Sequence, residues 1–350
     1  MSQARGYAVH NDKDTLKPWN FERRALGKDD VSLEIKYCGI CHSDIHQARG
    51  EWGNSMYPMV PGHEIVGVVT AVGSGVSTFK PGMLAGIGCM VDSCGHCDSC
   101  RSGHEQFCRD GKTVYTYNSY ELDGKTLTFG GYSDHIVCKA SFLLHIDERL
   151  YLPGVAPLLC AGITTYSPIR RYGIGKGHKL AVVGLGGLGH MAVKFGAALG
   201  AEVTVLSTSA SKREDALRLG ASGFVHTSNK SETKAVAGSF DFTIDTVSAP
   251  HPYDAYLRML KPGGIHICVG IPTEPIAVNS FSLLDGNKSI TASSIGGIAE
   301  TQEMLDFCAA NGITSDVEVI SASDVNAAYE RVLRSDVKYR FVIDCKTLAG

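Results

Sequence analysis

Six residues constrain this chain more than any others. Gly184-Leu185-Gly186-Gly187-Leu188-Gly189 fits the pattern G-x-G-x-x-G. It follows the short apolar run Lys179-Leu180-Ala181-Val182-Val183 and opens a stretch, Leu188 to Leu199, with helical apolar spacing. In a strand–turn–helix context each glycine has its own reason. The first allows the tight turn, the second lets the backbone approach a pyrophosphate, and the third lets the helix pack on the strand. The helix N-terminus then faces the phosphates with its unpaired N–H groups. A glycine-rich turn without a ligand is the alternative, and the flanking strand and helix favour a dinucleotide. The pattern continues with a strand at Glu202 to Leu206, a helix at Lys212 to Leu219, and strands at Phe224-Val225-His226, Asp241 to Asp245 and Gly264 to Val269. Strands alternating with short helices predict an α/β fold of the Rossmann kind, a doubly wound parallel sheet.

The end of the second strand speaks to the choice of cofactor. NAD binding usually places an Asp or Glu there, about 20 residues on, to accept from the ribose 2′-OH. Here the segment reads Leu206-Ser207-Thr208-Ser209-Ala210-Ser211-Lys212-Arg213, with no acid at the strand end. The hydroxyls of Ser207, Thr208 and Ser209, with Lys212, suit a 2′-phosphate. The expectation is NADP(H). The same residues also read as a helix N-cap followed by an exposed basic face, and the two readings are compatible.

Twelve cysteines are many for a chain with no disulfide framework. Cys94-x₂-Cys97-x₂-Cys100-x₇-Cys108 places four thiolates where they can wrap one tetrahedral zinc, leaving no open position, so the role is structural. An iron–sulfur run has three residues before a final Cys-Pro, whereas here the gap is seven and Arg109 follows. Two disulfides are disfavoured without a secretory signal. A second, dispersed set comprises Cys41, His63 and Cys160. One His and two Cys would leave a fourth zinc position open, but the spacing is weak evidence, since a buried Cys is usually a small hydrophobe.

Charge and composition exclude other classes. Lys plus Arg number 33 against 36 Asp plus Glu, a formal charge of −3, which gives no electrostatic footprint for nucleic acid or an anionic membrane. No stretch approaches the roughly 18 apolar residues of a membrane span. The polar start Met1-Ser2-Gln3-Ala4-Arg5 lacks an apolar signal region, so the expected location is cytoplasmic. Before residue 150 the chain reads as β-rich, with strands at Val31 to Tyr37 and Ile65 to Val72, and Cys89 to Cys108 reads as a loop excursion. Beyond residue 293, helices at Glu300 to Ala310 and Ser323 to Leu333 precede a strand at Arg340 to Asp344. Composition leaves open whether this tail forms a third unit or returns to the first.

Taken together, the motifs resemble the zinc-containing medium-chain alcohol dehydrogenases of the cinnamyl-alcohol-dehydrogenase type, and especially the bacterial NADPH-dependent aldehyde reductases of that branch. The carrying residues are Cys38-Gly39-Ile40-Cys41-His42-Ser43-Asp44, Pro61-Gly62-His63-Glu64, the four-Cys lobe, Leu159-Cys160-Ala161-Gly162-Ile163-Thr164, Gly184 to His190, and Lys338-Tyr339-Arg340-Phe341-Val342-Ile343-Asp344. They cover essentially the whole chain, in family order. The resemblance implies a mainly-β GroES-like catalytic domain, residues 1–155 and 295–350, with the Rossmann domain, 156–294, inserted in it.

It further implies two zinc ions per chain. The catalytic one would sit on Cys41, His63 and Cys160, the Cys₂His set known from alcohol dehydrogenase. Glu64 would stand beside it as an occasional ligand, and Asp44 would orient His63. The family's proton relay would run from Ser43 through the cofactor ribose to His46. Thr164, Ser294 and Ile295 would lie at the cofactor, and Trp52, Tyr57, Met59 and Tyr115 are candidates for the substrate wall. Tyr115 stands where plant cinnamyl alcohol dehydrogenases carry a Trp, which points away from strict hydroxycinnamyl specificity. The implied reaction is reversible hydride transfer between NADP(H) and an aldehyde/primary alcohol pair, in a homodimer. The competing readings are a zinc-free quinone reductase relative, a nucleic-acid-binding zinc protein and a catalytically silent cofactor-binding protein.

Overall fold

The computed structural model describes residues 1–272 and 274–349 and divides the chain into two compact units, Met1–Ile163 with Gly296–Gly350, and Thr164–Ile295.

The second unit is built on a six-stranded parallel sheet. In spatial order its strands are Gly223–His226, Glu202–Ser207, Lys179–Val183, Phe240–Asp245, Leu260–Cys268 and Ser289–Ala292. Numbered along the chain this is 3-2-1-4-5-6, the order of two mononucleotide-binding halves. The reversal falls between Lys179–Val183 and Phe240–Asp245, and the carboxyl ends of the strands at such a reversal are where sheets of this kind bind ligands. Strands covered on both faces must be apolar throughout, and Leu180, Ala181, Val182 and Val183 are all buried. The last strand, Ser289–Ala292, has no fully buried residue, which is why no apolar run marks it in the sequence.

In the first unit a seven-stranded, mostly antiparallel sheet is organised around the strand Asp30–Gly39. That strand pairs with Ile65–Val72, His135–Lys139 and Arg340–Asp344. The tail therefore returns to the first unit: Val342 lies opposite Gly39, Ile343 opposite Cys38 and Asp344 opposite Tyr37. A separate antiparallel pair, Ser2–Ala8 with Lys17–Arg23, opens the chain. The Cys89-to-Cys108 excursion is not wholly irregular. It holds one helical turn at Asp98–Arg101 and a 3₁₀ turn at Glu105–Phe107, and the strands Met90–Asp92 and Val114–Tyr115 close its base. Among the described residues no single helix is long and apolar enough to cross a membrane.

Two glycines of the loop leave no room for another residue, and a third does. Gly184 has φ +85°, a left-handed conformation that other residues rarely adopt. A Cβ on Gly189 would stand 2.1 Å from the carbonyl oxygen of Gly184, whereas one on Gly186 would meet nothing within 4 Å. Gly189→Val should therefore cost about 1–3 kcal/mol in urea unfolding. Gly186→Ala should stay within about 0.5 kcal/mol of wild type.

Candidate metal centres

Three groups of metal-ligating side chains form in the first unit among the described residues: two match the expected zinc sets, and the third, Cys94 with the exposed His96 and Asp110, shares a thiol with the lobe. In the lobe, Cys94, Cys97, Cys100 and Cys108 bring their sulfurs within 4.8 Å of one another. The separations are 3.5 Å for Cys97–Cys100, 3.8 Å for Cys94–Cys100 and 4.0 Å for Cys97–Cys108. Four thiolates around zinc at about 2.3 Å stand about 3.8 Å apart along the tetrahedron edge, so the cage has the right size. Backbone N–H groups point at the sulfurs: that of Cys97 to Cys94 Sγ and that of Arg109 to Cys97 Sγ, each at 3.3 Å. Such donors favour the thiolate, and the Cys97 thiol is lowered to about 6, first by the Cys100 backbone N–H. All four tetrahedral positions are supplied by the protein.

The second group joins Cys41, His63, Glu64 and Cys160, one donor atom from each, again within 4.8 Å. Cys41 stands at the N-cap of the helix His42–Ala48, and Asp44 in the first turn closes a capping box by accepting from the Cys41 backbone N–H at 2.9 Å. Asp44 is completely buried, and three further groups hold it. The Gly62 N–H donates to it at 3.1 Å, the Tyr132 hydroxyl at 3.2 Å, and His63 Nδ1 stands 3.0 Å away. A carboxylate so satisfied fixes the imidazole with Nδ1 protonated, leaving Nε2 as the lone-pair donor. The sulfurs of Cys41 and Cys160 are 3.9 Å apart. Their hydrogen bond holds the Cys41 thiol well below its ordinary value, against the effect of burial. Glu64 is also wholly buried. One of its oxygens is bound by the Arg340 guanidinium, and the other, Oε2, has no hydrogen-bond partner. Burial, opposed by Arg340, raises the Glu64 carboxyl to about 7. A donor set with two sulfurs, one oriented imidazole and one orphaned carboxylate oxygen fits zinc.

The other expected residues are distributed as follows. Ser43 Oγ lies 3.6 Å from Cys41 Sγ, and His46 follows one helical turn later, its Nδ1 2.5 Å from Glu51 Oε2. The Trp52 ring stands 5.1 Å from that of His46, with its indole Nε1 buried and unpartnered. Tyr57 donates its hydroxyl to the Ala48 carbonyl at 3.1 Å, at the end of the same helix. Tyr115 is 47% exposed. Met59 departs from its expected place: it is 1% exposed and exchanges both backbone hydrogen bonds with Val9, so it is a core side chain with no face for a substrate. Sequence reasoning missed the roles of Tyr132, of Arg340 and of Gly39, where a Cβ would stand 2.0 Å from Glu64 Oε2. No local signal marks them, because each acts through a residue distant in the chain.

In the second unit Lys212 Nζ donates to the Leu185 carbonyl at 2.8 Å, which ties the segment after the second strand to the glycine loop. Ser207 ends its strand, its Oγ accepts from the Ser209 N–H at 3.2 Å, and Ser209 Oγ lies 2.9 Å from Ser211 Oγ. The Thr208 carbonyl faces His226 Nε2 at 3.0 Å. Arg213 is committed elsewhere, lying over the Phe224 ring at 4.7 Å and paired with Glu232 at 3.2 Å. Thr164 is buried, Ser294 is exposed, and Ile295 has φ 39°.

A closed four-thiolate cage, an open mixed set and a doubly wound dinucleotide-type sheet in one chain define a two-domain, zinc-dependent oxidoreductase. Residues 27–148 match the family "Alcohol dehydrogenase GroES-like domain", and residues 187–310 match "Zinc-binding dehydrogenase". The NADP-dependent alcohol dehydrogenase C 1 of Mycolicibacterium smegmatis is 51% identical over 348 residues, covering 99% of each chain. The cinnamyl alcohol dehydrogenase SbCAD4 of Sorghum bicolor superposes with a TM-score of 0.95 at 46% identity, covering 100% of this chain and 98% of that one. The CAD of Helicobacter pylori, solved with NADP(H), superposes with a TM-score of 0.92 at 41% identity, covering 98% of each. The chain belongs to the zinc-containing medium-chain alcohol dehydrogenases, in the branch of the cinnamyl alcohol dehydrogenases and the NADP-dependent alcohol dehydrogenases C.

Two outcomes are expected at this site. Asp44→Asn should lower zinc affinity at the open site about 10–100-fold while the four-Cys cage stays loaded, as followed by chelator competition. Arg340→Leu strands a buried carboxylate and should cost about 3–5 kcal/mol in urea unfolding. A double change that also makes Glu64→Leu should recover much of that loss.

Proposed function

We propose that this chain is an NADP(H)-dependent zinc alcohol dehydrogenase that works chiefly as a reductase of aldehydes to primary alcohols. The observation that carries the reading is the second donor group, in which two thiols, an oriented imidazole and an unpartnered carboxylate oxygen converge. When bound, zinc supplies Lewis acidity to a carbonyl oxygen and the nicotinamide supplies hydride to its carbon.

The chain's own residues do the rest. Cys41, His63 and Cys160 bind the metal, with Glu64 as an occasional fourth donor. Asp44 holds the His63 tautomer. Ser43 Oγ passes the product proton, and His46 exchanges it with solvent. Gly184 to Gly189 cradle the pyrophosphate. Ser207, Thr208, Ser209 and Lys212 receive the 2′-phosphate, a reading supported by the absence of an acid at the strand end. Thr164, Ser294 and Ile295 flank the cofactor. Trp52, Tyr57 and Tyr115 shape the substrate wall, and their mixed apolar and phenolic surface suits a range of aldehydes. Residues 1–155 and 295–350 act as the catalytic domain and 156–294 as the cofactor domain of a homodimer.

Purified protein should oxidise NADPH in the presence of benzaldehyde, with kcat/KM well above that for NADH, and should lose that activity as the more labile of two zinc ions is chelated. Ser43→Ala should lower kcat about 100-fold with the zinc content unchanged. Turnover equal to wild type would remove Ser43 from the proton path.

A further inference from the structure

We propose that Asp245, His266 and Cys268 form a third divalent-metal site, suited to a thiophilic ion such as Zn²⁺, at the carboxyl ends of two strands of the parallel sheet. In the parallel pair Phe240–Asp245 and Leu260–Cys268, Thr243 lies opposite His266 and Asp245 opposite Cys268. With a side-chain period of two, all four share one face of the sheet, while Ile244 and Ile267 occupy the other. A parallel sheet covered on both faces normally keeps such positions apolar. Here Thr243 and His266 are 0% exposed, Asp245 2% and Cys268 7%.

The donor atoms are arranged for a cation. One atom each from Asp245, His266 and Cys268 lies within 4.8 Å of the others. The Thr243 hydroxyl lies 2.6 Å from His266 Nδ1, which fixes the ring. A metal-ligating histidine typically has its far nitrogen anchored in this way. The opposite nitrogen, Nε2, lies 3.3 Å from Asp245 Oδ2 but out of hydrogen-bonding alignment, and it has no hydrogen-bond partner. A wholly buried imidazole nitrogen that faces a carboxylate at 3.3 Å and a thiol is placed to give its lone pair to a cation lodged between them. His251 Nε2 sits 2.6 Å from the same Asp245 oxygen and Nδ1 2.8 Å from the Ala249 carbonyl, so His251 borders the site and holds the carboxylate in place.

Zn²⁺ displaces the thiol proton to solvent and takes Sγ, His266 Nε2 and Asp245 Oδ2 as ligands. Oxygen, nitrogen and sulfur at three corners select a borderline-soft ion over Mg²⁺ or Ca²⁺. The site also has a mechanical neighbour. Asp245 Oδ1 accepts from the Val247 N–H at 3.0 Å, and Val247 Cγ2 stands 2.9 Å from where a Cβ on Gly184 would be. An ion on Asp245 would stiffen the segment that backs the first glycine of the dinucleotide loop.

The test is metal counting on the intact protein. After exposure to Zn²⁺ and desalting, wild type should carry three zinc ions per chain, and the double variant His266→Leu/Cys268→Leu should carry two. NADPH-fluorescence titration of the variant reports that the second unit is folded. Two ions in wild type, or three in the folded double variant, would overturn the proposal. If the double variant does not fold, Cys268→Ala alone should weaken the third ion by at least about tenfold in competition with a chromophoric chelator. Affinity equal to wild type would overturn the proposal as well. None of these readouts depends on turnover, and the counts of three and two include the ions at the four-Cys cage and at Cys41, His63 and Cys160.

Discussion

Glu64 and Arg340 meet inside the first unit, and much of the metal chemistry rests on that contact. Glu64 is 0% exposed and Arg340 4%. Two charges so far from water are tolerable only as a pair, and removing one partner costs far more than the pair contributes. The Arg340 guanidinium occupies one carboxylate oxygen and leaves the other free beside Cys41, His63 and Cys160. The pairing requires that Arg340–Asp344 close against Asp30–Gly39, and it requires a residue without a side chain at Gly39. Sheet register, a glycine and an ion pair are thus one constraint seen at three levels.

Asp44 is the complementary anchor. As a helix-capping residue it ends one element, and through its contacts with Gly62, His63 and Tyr132 it locates another. The same carboxylate that satisfies the helix N-terminus decides which imidazole nitrogen is free. Local helix chemistry and metal chemistry therefore share one side chain. Moving the helix His42–Ala48 would disturb both ligands it positions, Cys41 directly and His63 through Asp44. The cage of Cys94, Cys97, Cys100 and Cys108 is self-contained by contrast. Its ligands lie within fifteen residues, and backbone N–H groups of the same loop support the sulfurs.

Legibility followed the range of the interactions. Strands with continuous apolar runs, such as Lys179–Val183 and Ile65–Val72, were readable because burial on two faces forces their composition. Ser289–Ala292 and Val317–Ser321 were not read, because both are edge strands without a fully buried residue. Cys41, His63 and Cys160 made only a weak pattern by themselves, and resemblance to a family supplied their grouping. Met59 was read as a pocket residue because apolar character alone does not separate a wall from a core.

The sequence by itself determined the dinucleotide loop, the four-thiolate cage and the parallel architecture, since each depends on residues close together in the chain and on backbone geometry that only certain residues permit. Tertiary structure decided which nitrogen of His63 faces the metal site, which oxygen of Glu64 remains free, and that Thr243, Asp245, His266 and Cys268 share a buried face. Those outcomes rest on contacts spanning from nineteen to more than two hundred residues of chain. Burial multiplies the strength of such polar contacts, and no local pattern records which partners it will bring together.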